Sequence, residues 1–225
     1  IVLKDNWVIF ENIDRLSEQL ANDILALAQK SIKLNDNFKI VLTGGVSVVN
    51  VYKILRSSKS NWDKWHIYIG DERCLPSKSK DRNDNMINQV WLDDSPIPKQ
   101  NVHFIFAELG VDNGAIDYEM TLKGVGFFDL VLLSMGEDGH VASLFPGHQY
   151  EKDKSVVVEK NSIKNPKERI TLSYSRLNRS KNVFKIINGS SKKNTMQLLI
   201  AGQSFLPINR VTGEFERYFI CTNAL

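Results

Sequence analysis

The chain has 225 residues, of which 42% are hydrophobic and 24% are charged, proportions that are usual for globular proteins and exclude a disordered chain. Its 29 basic and 26 acidic residues give a net charge of +3, too small to indicate general binding to nucleic acid or to a membrane surface. The two cysteines form no disulfide framework, and no apolar run approaches the roughly 18–20 residues of a membrane span, so we expect a cytoplasmic protein.

Short apolar runs alternate with stretches of helical periodicity along the chain. The predicted strands are residues 7–10, 38–42, 66–69, 129–133, 169–173, 183–187 and 217–221. The predicted helices cover about residues 13–33, 47–55, 85–91 and 192–201. Strands separated by helices predict one α/β domain over residues 1–225, with a doubly wound, mostly parallel sheet flanked by helices. The architecture is Rossmann-like but lacks the dinucleotide fingerprint. Because the sequence does not begin with Met, it is also compatible with a fragment of a longer polypeptide.

Three polar segments that contain glycine directly follow predicted strands. They are residues 43–47, 70–73 and 136–140. Because the carboxyl ends of parallel strands share one edge of the sheet, and ligands bind at that edge, we expect these segments to meet in space. This convergence is the first indication of a functional site.

The glycine pair at 44–45 lies between a strand and a helix. Such a turn exposes backbone N–H groups near a helix start, which favours a phosphate site that includes Thr43, Gly44, Gly45 and Ser47. An ordinary turn with Ser47 as the N-cap residue explains the same pattern.

The other two segments supply charged and titratable side chains. Arg73 is placed to hold an anion, and Asp71 is placed to orient a catalytic base, although a solvated turn with internal ion pairs also fits. His140 follows two glycines beyond a strand, and the ordinary pKa of an imidazole, about 6.5, suits a general base near neutral pH. A lone histidine in a loop is otherwise most often merely exposed.

Other chemistries have little support in the sequence. The four histidines form no metal-binding spacing, and the GxSxG motif of an acyl-serine hydrolase is absent. We therefore expect no metal and no cofactor.

Residues 151–225 hold 14 basic and 6 acidic side chains. This excess of basic residues suits a small anionic ligand or simply a solvated basic surface.

Five segments, in this order, make nearly the whole chain resemble the 6-phosphogluconolactonase family. Residues 43–47 are similar to its phosphate loop, and residues 128–147 are similar to its most specific signature. Residues 71–76 are similar to its DER-x-x-P segment, and Asn85 matches the asparagine that follows that segment in the family. Residues 169–172 and 189–192 resemble its two basic motifs. The sequence departs from the family pattern at four positions, which are Val46, Val48, Asp84 and Ser134. Asp84 adds negative charge near the site. Val46 and Asp84 put substrate affinity in question more than the type of reaction, and the role of residues 77–84 stays open.

The resemblance implies hydrolysis of 6-phospho-D-glucono-1,5-lactone, a phosphosugar lactone of the pentose phosphate pathway. His140 would activate water, Asp71 would support the imidazolium, and Arg73 or backbone N–H groups near Gly44 and Gly45 would stabilise the oxyanion. Arg169 and Lys192 would hold the 6-phosphate.

Two alternative functions and one partner enzyme are also considered. Glucosamine-6-phosphate isomerases/deaminases share the architecture, but their Asp-Glu-Tyr and Phe-Asn-Glu-Pro motifs are replaced here at 71–73 and 143–146. A sugar-phosphate-binding module without catalysis is the other alternative. Similar lactonase domains are fused to glucose-6-phosphate dehydrogenase in some protists, and the sequence is compatible with fusion to or association with that enzyme. Neither nucleic acid nor a membrane is expected as a partner.

Overall fold

A seven-stranded, fully parallel sheet forms the centre of the protein in a computed structural model that describes residues 4–225. Residues 1–3 of the predicted domain lie outside the described part. Across the sheet the strands are β1 (Trp7–Phe10), β10 (Phe215–Cys221), β9 (Ser180–Ile187), β6 (Phe128–Ser134), β2 (Phe38–Leu42), β3 (Trp65–Ile69) and β5 (Val102–His103). The predicted α/β class with a mostly parallel sheet is confirmed.

Seven helices accompany the described strands. They are α1 (Ile13–Asn35), α2 (Val49–Arg56), α3 (Asn83–Val90), α4 (Val111–Thr121), α5 (Tyr174–Asn178), α6 (Lys193–Ile200) and α7 (Pro207–Arg210). In α1, Asn12 caps the start by accepting hydrogen bonds from the backbone N–H groups of Asp14 and Arg15, and Asp36 ends the helix in a left-handed conformation. Residues at helical spacing, such as Leu16 and Leu20, are buried against the sheet.

The core is continuous from β1 to β5 and is densest around the central strands. Five consecutive side chains of β6, residues 129–133, are all buried, as expected for a strand that is covered on both faces. Beside β3, Trp62, Trp65 and Trp91 pack edge-on or tilted with ring centroids 4.6–6.0 Å apart. This packing lies at the amino end of the strand, where Trp65 is the first residue of β3.

A second, antiparallel sheet of three strands was not expected from the sequence. It consists of β4 (Asp71–Arg73), β8 (Arg169–Leu172) and β7 (Val156–Glu159), in that spatial order with β8 in the middle. The predicted strand at 169–173 therefore exists but belongs to this sheet instead of the main one. Since β4 begins two residues after β3 ends and pairs Arg73 with Arg169, the small sheet brings the basic C-terminal segment to the carboxyl edge of the main sheet.

Candidate active site

A cleft of about 250 Å³ lies where β2, β3 and β6 end. Eight of the nine residues that the sequence singled out line it: Thr43, Gly44, Gly45, Asp71, Arg73, His140, Arg169 and Lys192. Segments that are up to 149 positions apart in the sequence thus meet in one place, as the strand-end argument predicts.

Ser47 is the one predicted residue that the structure does not bring to the cleft wall. It is buried inside a short 3-10 turn, Val46–Val48, that precedes α2. Gly45 occupies the capping position of this turn, with φ 99°, a conformation that favours glycine. The alternative of Ser47 as N-cap is therefore wrong as well. Val46 is 87% exposed and is not among the residues that line the cleft.

The glycine at 44 makes room for a residue that sequence reasoning missed. A Cβ atom on Gly44 would lie 1.9 Å from Oδ1 of Asn83, so only glycine allows this close approach. Asn83 lines the cleft and donates a hydrogen bond from Nδ2 to the backbone oxygen of Asp71 at 2.8 Å. Glu72 fixes the start of α3 by accepting hydrogen bonds from the backbone N–H groups of Asn83 and Asp84, each at 2.8 Å.

The match of Asn85 to the family's asparagine is corrected by this arrangement. Asn85 donates to the backbone oxygens of Ser77 and Ser79, outside the cleft wall. Asp84 was expected to add negative charge near the site. It is instead paired with the buried guanidinium of Arg82 at 2.6 Å, a cation that Glu108 shares. Residues 77–84 are thus a tethered segment, held by Arg82 and Asn85.

His140 has a carboxylate partner, and that partner is Asp138. Nδ1 of His140 lies 2.5 Å from Oδ1 of Asp138, which also accepts a hydrogen bond from the backbone N–H of His140 at 3.1 Å. An ionised carboxylate only accepts, so Nδ1 carries the proton and Nε2 keeps its lone pair. Burial by itself would raise the pKa of Asp138, but its hydrogen bonds with His140 and the charge of His140 hold that pKa below its ordinary value.

Close packing fixes the position of the imidazole. A Cβ atom on Gly136 would lie 2.0 Å from the His140 ring, so glycine at 136 is a steric requirement. The Phe145 ring centroid lies 4.6 Å from that of His140. The glycines and the phenylalanine of this signature therefore hold a histidine in one place.

Asp71 was expected to orient the histidine, and the structure corrects this part of the expectation. Its carboxylate accepts a hydrogen bond from Oγ of Ser143 at 2.6 Å and a longer one, 3.3 Å, from Nδ2 of Asn83. Asp71 is buried but still lines the cleft, so its negative charge acts there without contacting the imidazole through a hydrogen bond.

Arg73 lines the cleft and is tied to the loop that follows β4. Its Nη1 donates to the backbone oxygen of Asp81. Its Nε is buried and has no hydrogen-bond partner among residues 4–225. The guanidinium places a positive charge at the cleft, which favours an anionic ligand.

Three further cations line the cleft, and one of them, Arg169, is the cross-strand partner of Arg73. Arg169 is buried and donates to the backbone oxygens of Lys164, Asn165 and Pro166, and its guanidinium lies 5.7 Å from the ring centre of Phe145. These bonds hold the backbone of Lys164 and Asn165 at the cleft wall, and sequence reasoning also missed these two residues. Lys192 is the third cation. Burial lowers the pKa of Lys192, and the charge of Glu137 offsets part of that shift.

A larger groove of about 700 Å³ runs between α4 and β7. Its lining, as far as the described residues form it, contains neither histidine nor cysteine, and its apolar wall includes Ile116 and Met120. The smaller cleft is therefore the candidate active site, because it alone of the two combines a general base with a group of cations. Across residues 4–225, no helix has the length and apolar character needed to cross a membrane.

Comparison with known proteins agrees with this geometry. The family model described as glucosamine-6-phosphate isomerases/6-phosphogluconolactonase matches residues 11–219. A relative named probable 6-phosphogluconolactonase 4, chloroplastic, from Oryza sativa is 33% identical over 92% of this chain and 72% of its own length. The crystal structure of 6-phosphogluconolactonase from Thermotoga maritima is 30% identical, covers 96% of this chain and 99% of its own, and superposes with a TM-score of 0.89. The chain belongs to the glucosamine-6-phosphate isomerase/6-phosphogluconolactonase family.

Proposed function

We propose that this protein hydrolyses 6-phospho-D-glucono-1,5-lactone to 6-phospho-D-gluconate, a step of the oxidative branch of the pentose phosphate pathway. The observation that carries the proposal is His140, held by Asp138, in the same cleft as Arg73, Arg169 and Lys192. A general base facing cations suits a neutral ester carbonyl on a molecule that also carries a phosphate. The names of the relative from Oryza sativa and of the Thermotoga maritima structure support the same reaction.

The reaction follows from the arrangement of His140. Its Nε2 takes a proton from water while the water oxygen attacks the lactone carbonyl carbon. The resulting oxyanion is stabilised by the guanidinium of Arg73 or accepts hydrogen bonds from backbone N–H groups at Gly44 and Gly45. When the intermediate collapses, the bond to the ring oxygen breaks, and that oxygen leaves as a hydroxyl with the proton from His140. Asp138 stabilises the imidazolium throughout.

The remaining cleft residues bind the substrate in this proposal. Lys192, Arg169 and the loop that Arg169 binds, residues 164–166, hold the 6-phosphate through charge-assisted hydrogen bonds. Thr43 and the turn at Gly44 and Gly45 border the sugar ring. Asp71 acts electrostatically on the bound lactone from its position at the end of β3. No metal or cofactor takes part in any of these steps.

Substitution of Asp138 by Asn is expected to lower kcat about 10²-fold, because the imidazolium loses its counter-charge and Nδ1 loses the acceptor that fixes the tautomer. Steady-state kinetics with the phosphorylated lactone measure the effect. An unchanged kcat would show that Asp138 does not act on the base.

Substitution of Arg169 by Ala is expected to raise KM about 10–100-fold with a smaller change in kcat, because charge-assisted hydrogen bonds to the phosphate are lost. Arg179→Ala, which removes an arginine at the larger groove, is the matched control and should leave KM unchanged. If Arg169→Ala lowered kcat and left KM as it is, Arg169 would serve the chemical step instead of phosphate binding.

One pair of assays separates this function from the alternatives. Lactone hydrolysis is followed by acid release with substrate generated in situ, and ammonia release from glucosamine 6-phosphate is followed in parallel. Acid release without ammonia is the expected result. Ammonia release would favour the isomerase/deaminase, and phosphate binding without either reaction would favour a binding module.

The remaining expectations are part of the same proposal. We propose that residues 1–225 work as one 6-phosphogluconolactonase-like domain in the cytoplasm, alone or within a longer polypeptide. Fusion to or association with glucose-6-phosphate dehydrogenase stays a prediction, and co-purification tests it. The cytoplasmic location also stays a prediction, because the relative from Oryza sativa is named chloroplastic.

A further inference from the structure

Glu137 is a carboxylate directly beside the cations of the cleft, although it does not line the cleft itself. Nζ of Lys164 donates a hydrogen bond to Oε2 of Glu137 at 3.1 Å, with both side chains about half exposed, at 54% and 50%. The hydrogen bond and charge of Lys164, followed by the charge of Lys192, hold the pKa of Glu137 below its ordinary value. Glu137 is therefore ionised and paired with Lys164, and the charge of Lys192 acts on it without a direct contact.

The backbone of Glu137 is fixed, so its side chain cannot move far from those cations. Its carbonyl oxygen accepts a hydrogen bond from Oγ1 of Thr195, a buried residue of α6. The next residue, Asp138, is tied to His140. The carboxylate thus projects from a rigid segment, whereas Lys164 is an exposed side chain on the Arg169 loop and is free to change its partner.

Lys164 has two possible anionic partners, since it lines the cleft and also pairs with Glu137. A phosphate monoester carries a charge of about −1.5 to −2 at pH 7 and presents three acceptor oxygens, more than a single carboxylate offers. Exposed ion pairs contribute little to stability, so breaking the Lys164–Glu137 pair costs little. Exchange of partners is energetically easy.

We propose that Glu137 is a positioning residue that holds Lys164 and shares the charge of Lys192 until the phosphate of a ligand displaces it. This inference rests on the proposed function, and it adds a competing anion that sets the affinity of the cleft for phosphate. Because Glu137 competes for these cations, a ligand with a single negative charge binds weakly, and the cleft favours a phosphate dianion.

The test is Glu137→Gln, which keeps the shape and removes the charge. Titration calorimetry with inorganic phosphate at constant ionic strength should show a Kd about three- to fivefold lower than that of the wild type, the range that loss of one exposed competing charge allows. KM for the phosphorylated lactone should fall by a similar factor while kcat stays within about twofold. A merely structural role would not produce this split.

Two further variants make the test specific. Asp112→Asn removes the Lys160–Asp112 pair, which is as exposed as the Lys164–Glu137 pair and lies outside the cleft wall, and it should leave phosphate affinity unchanged. In a Lys164→Gln background, the gain from Glu137→Gln should shrink to less than about twofold, because Glu137 acts mainly through Lys164.

Phosphate affinity that is unchanged or weaker in Glu137→Gln, or an equal gain in the Lys164→Gln background, would overturn the inference. Absence of phosphate binding in both the wild type and the variant would overturn it too. The phosphate titration requires no turnover. A wild type that binds phosphate but does not hydrolyse the lactone would therefore reject the proposed function and leave the role of Glu137 to be decided by the titration.

Discussion

Substitution of His140 by Ala is expected to lower kcat for the phosphorylated lactone by about 10²–10⁴-fold, with little change in KM. The imidazole is the proposed proton acceptor, and its Nε2 keeps a lone pair because Nδ1 is bonded to Asp138. Substrate binding is assigned to other residues of the cleft, chiefly Arg169 and Lys192, so it should survive the substitution. Steady-state kinetics above the spontaneous hydrolysis rate provide the measurement.

The chain offers a matched control for this substitution. His148 is the second histidine near Phe145, with ring centroids 5.8 Å apart, but its Nδ1 is bonded to Glu159 at 2.7 Å and it does not line the cleft. His148→Gln should leave kcat within about twofold of the wild type. A kcat for His140→Ala within about twofold of the wild type would move the general base to another group, with Asp71 the next candidate.

Substitution of Arg82 by Met is expected to lower the free energy of unfolding by about 3–5 kcal/mol, because it leaves carboxylates without their buried partner. The Arg82 side chain is only 1% exposed, and it pairs with Asp84 and with Glu108, each at 2.6 Å. It also donates to the backbone oxygens of Leu75 and Ile105. Urea unfolding followed by circular dichroism measures the loss.

An exposed ion pair serves as the comparison for Arg82. Lys64→Met breaks the pair between Lys64 and Asp36, whose side chains are 37% and 81% exposed, and should leave the free energy of unfolding nearly unchanged. Because Arg82 is adjacent to the cleft residue Asn83, Arg82→Met should also reduce activity at temperatures where the variant stays folded. Equal losses of stability in the two variants would contradict the structural role assigned to the buried guanidinium.

Much of the fold and the centre of the site could be predicted from local sequence signals. The apolar runs of β2, β3 and β6 are bounded by glycines and charged residues, so both the strands and the edge at which they end are visible in the sequence. The convergence of Gly44, Arg73 and His140 follows from parallel strand topology alone.

The parts that could not be predicted depend on contacts between distant segments. β4 has only three residues, all of them charged, so its sequence has no strand pattern until β8 pairs with it. Lys164 enters the cleft because Arg169 binds the backbone of its loop, an interaction without a periodic signal.

Two errors at the site have a more local cause. Residues 83–85 contain two asparagines around one aspartate, and motif matching alone selected Asn85 where the packing against Gly44 selects Asn83. Similarly, Asp138 lies two residues before His140 and was a visible candidate for its partner, but Asp71 had the more familiar position at the end of a strand. Only side-chain geometry distinguishes between such neighbours.

The account depends most on one claim, that the cleft joins a general base to a phosphate site. The most direct test is kcat/KM of the wild type for 6-phosphoglucono-1,5-lactone and for the same lactone without phosphate, measured by acid release. We predict hydrolysis well above the spontaneous rate and a preference of about 10²-fold or more for the phosphorylated lactone, the effect of two or more charge-assisted hydrogen bonds. Equal values for the two lactones, or no acceleration of either, would contradict the account.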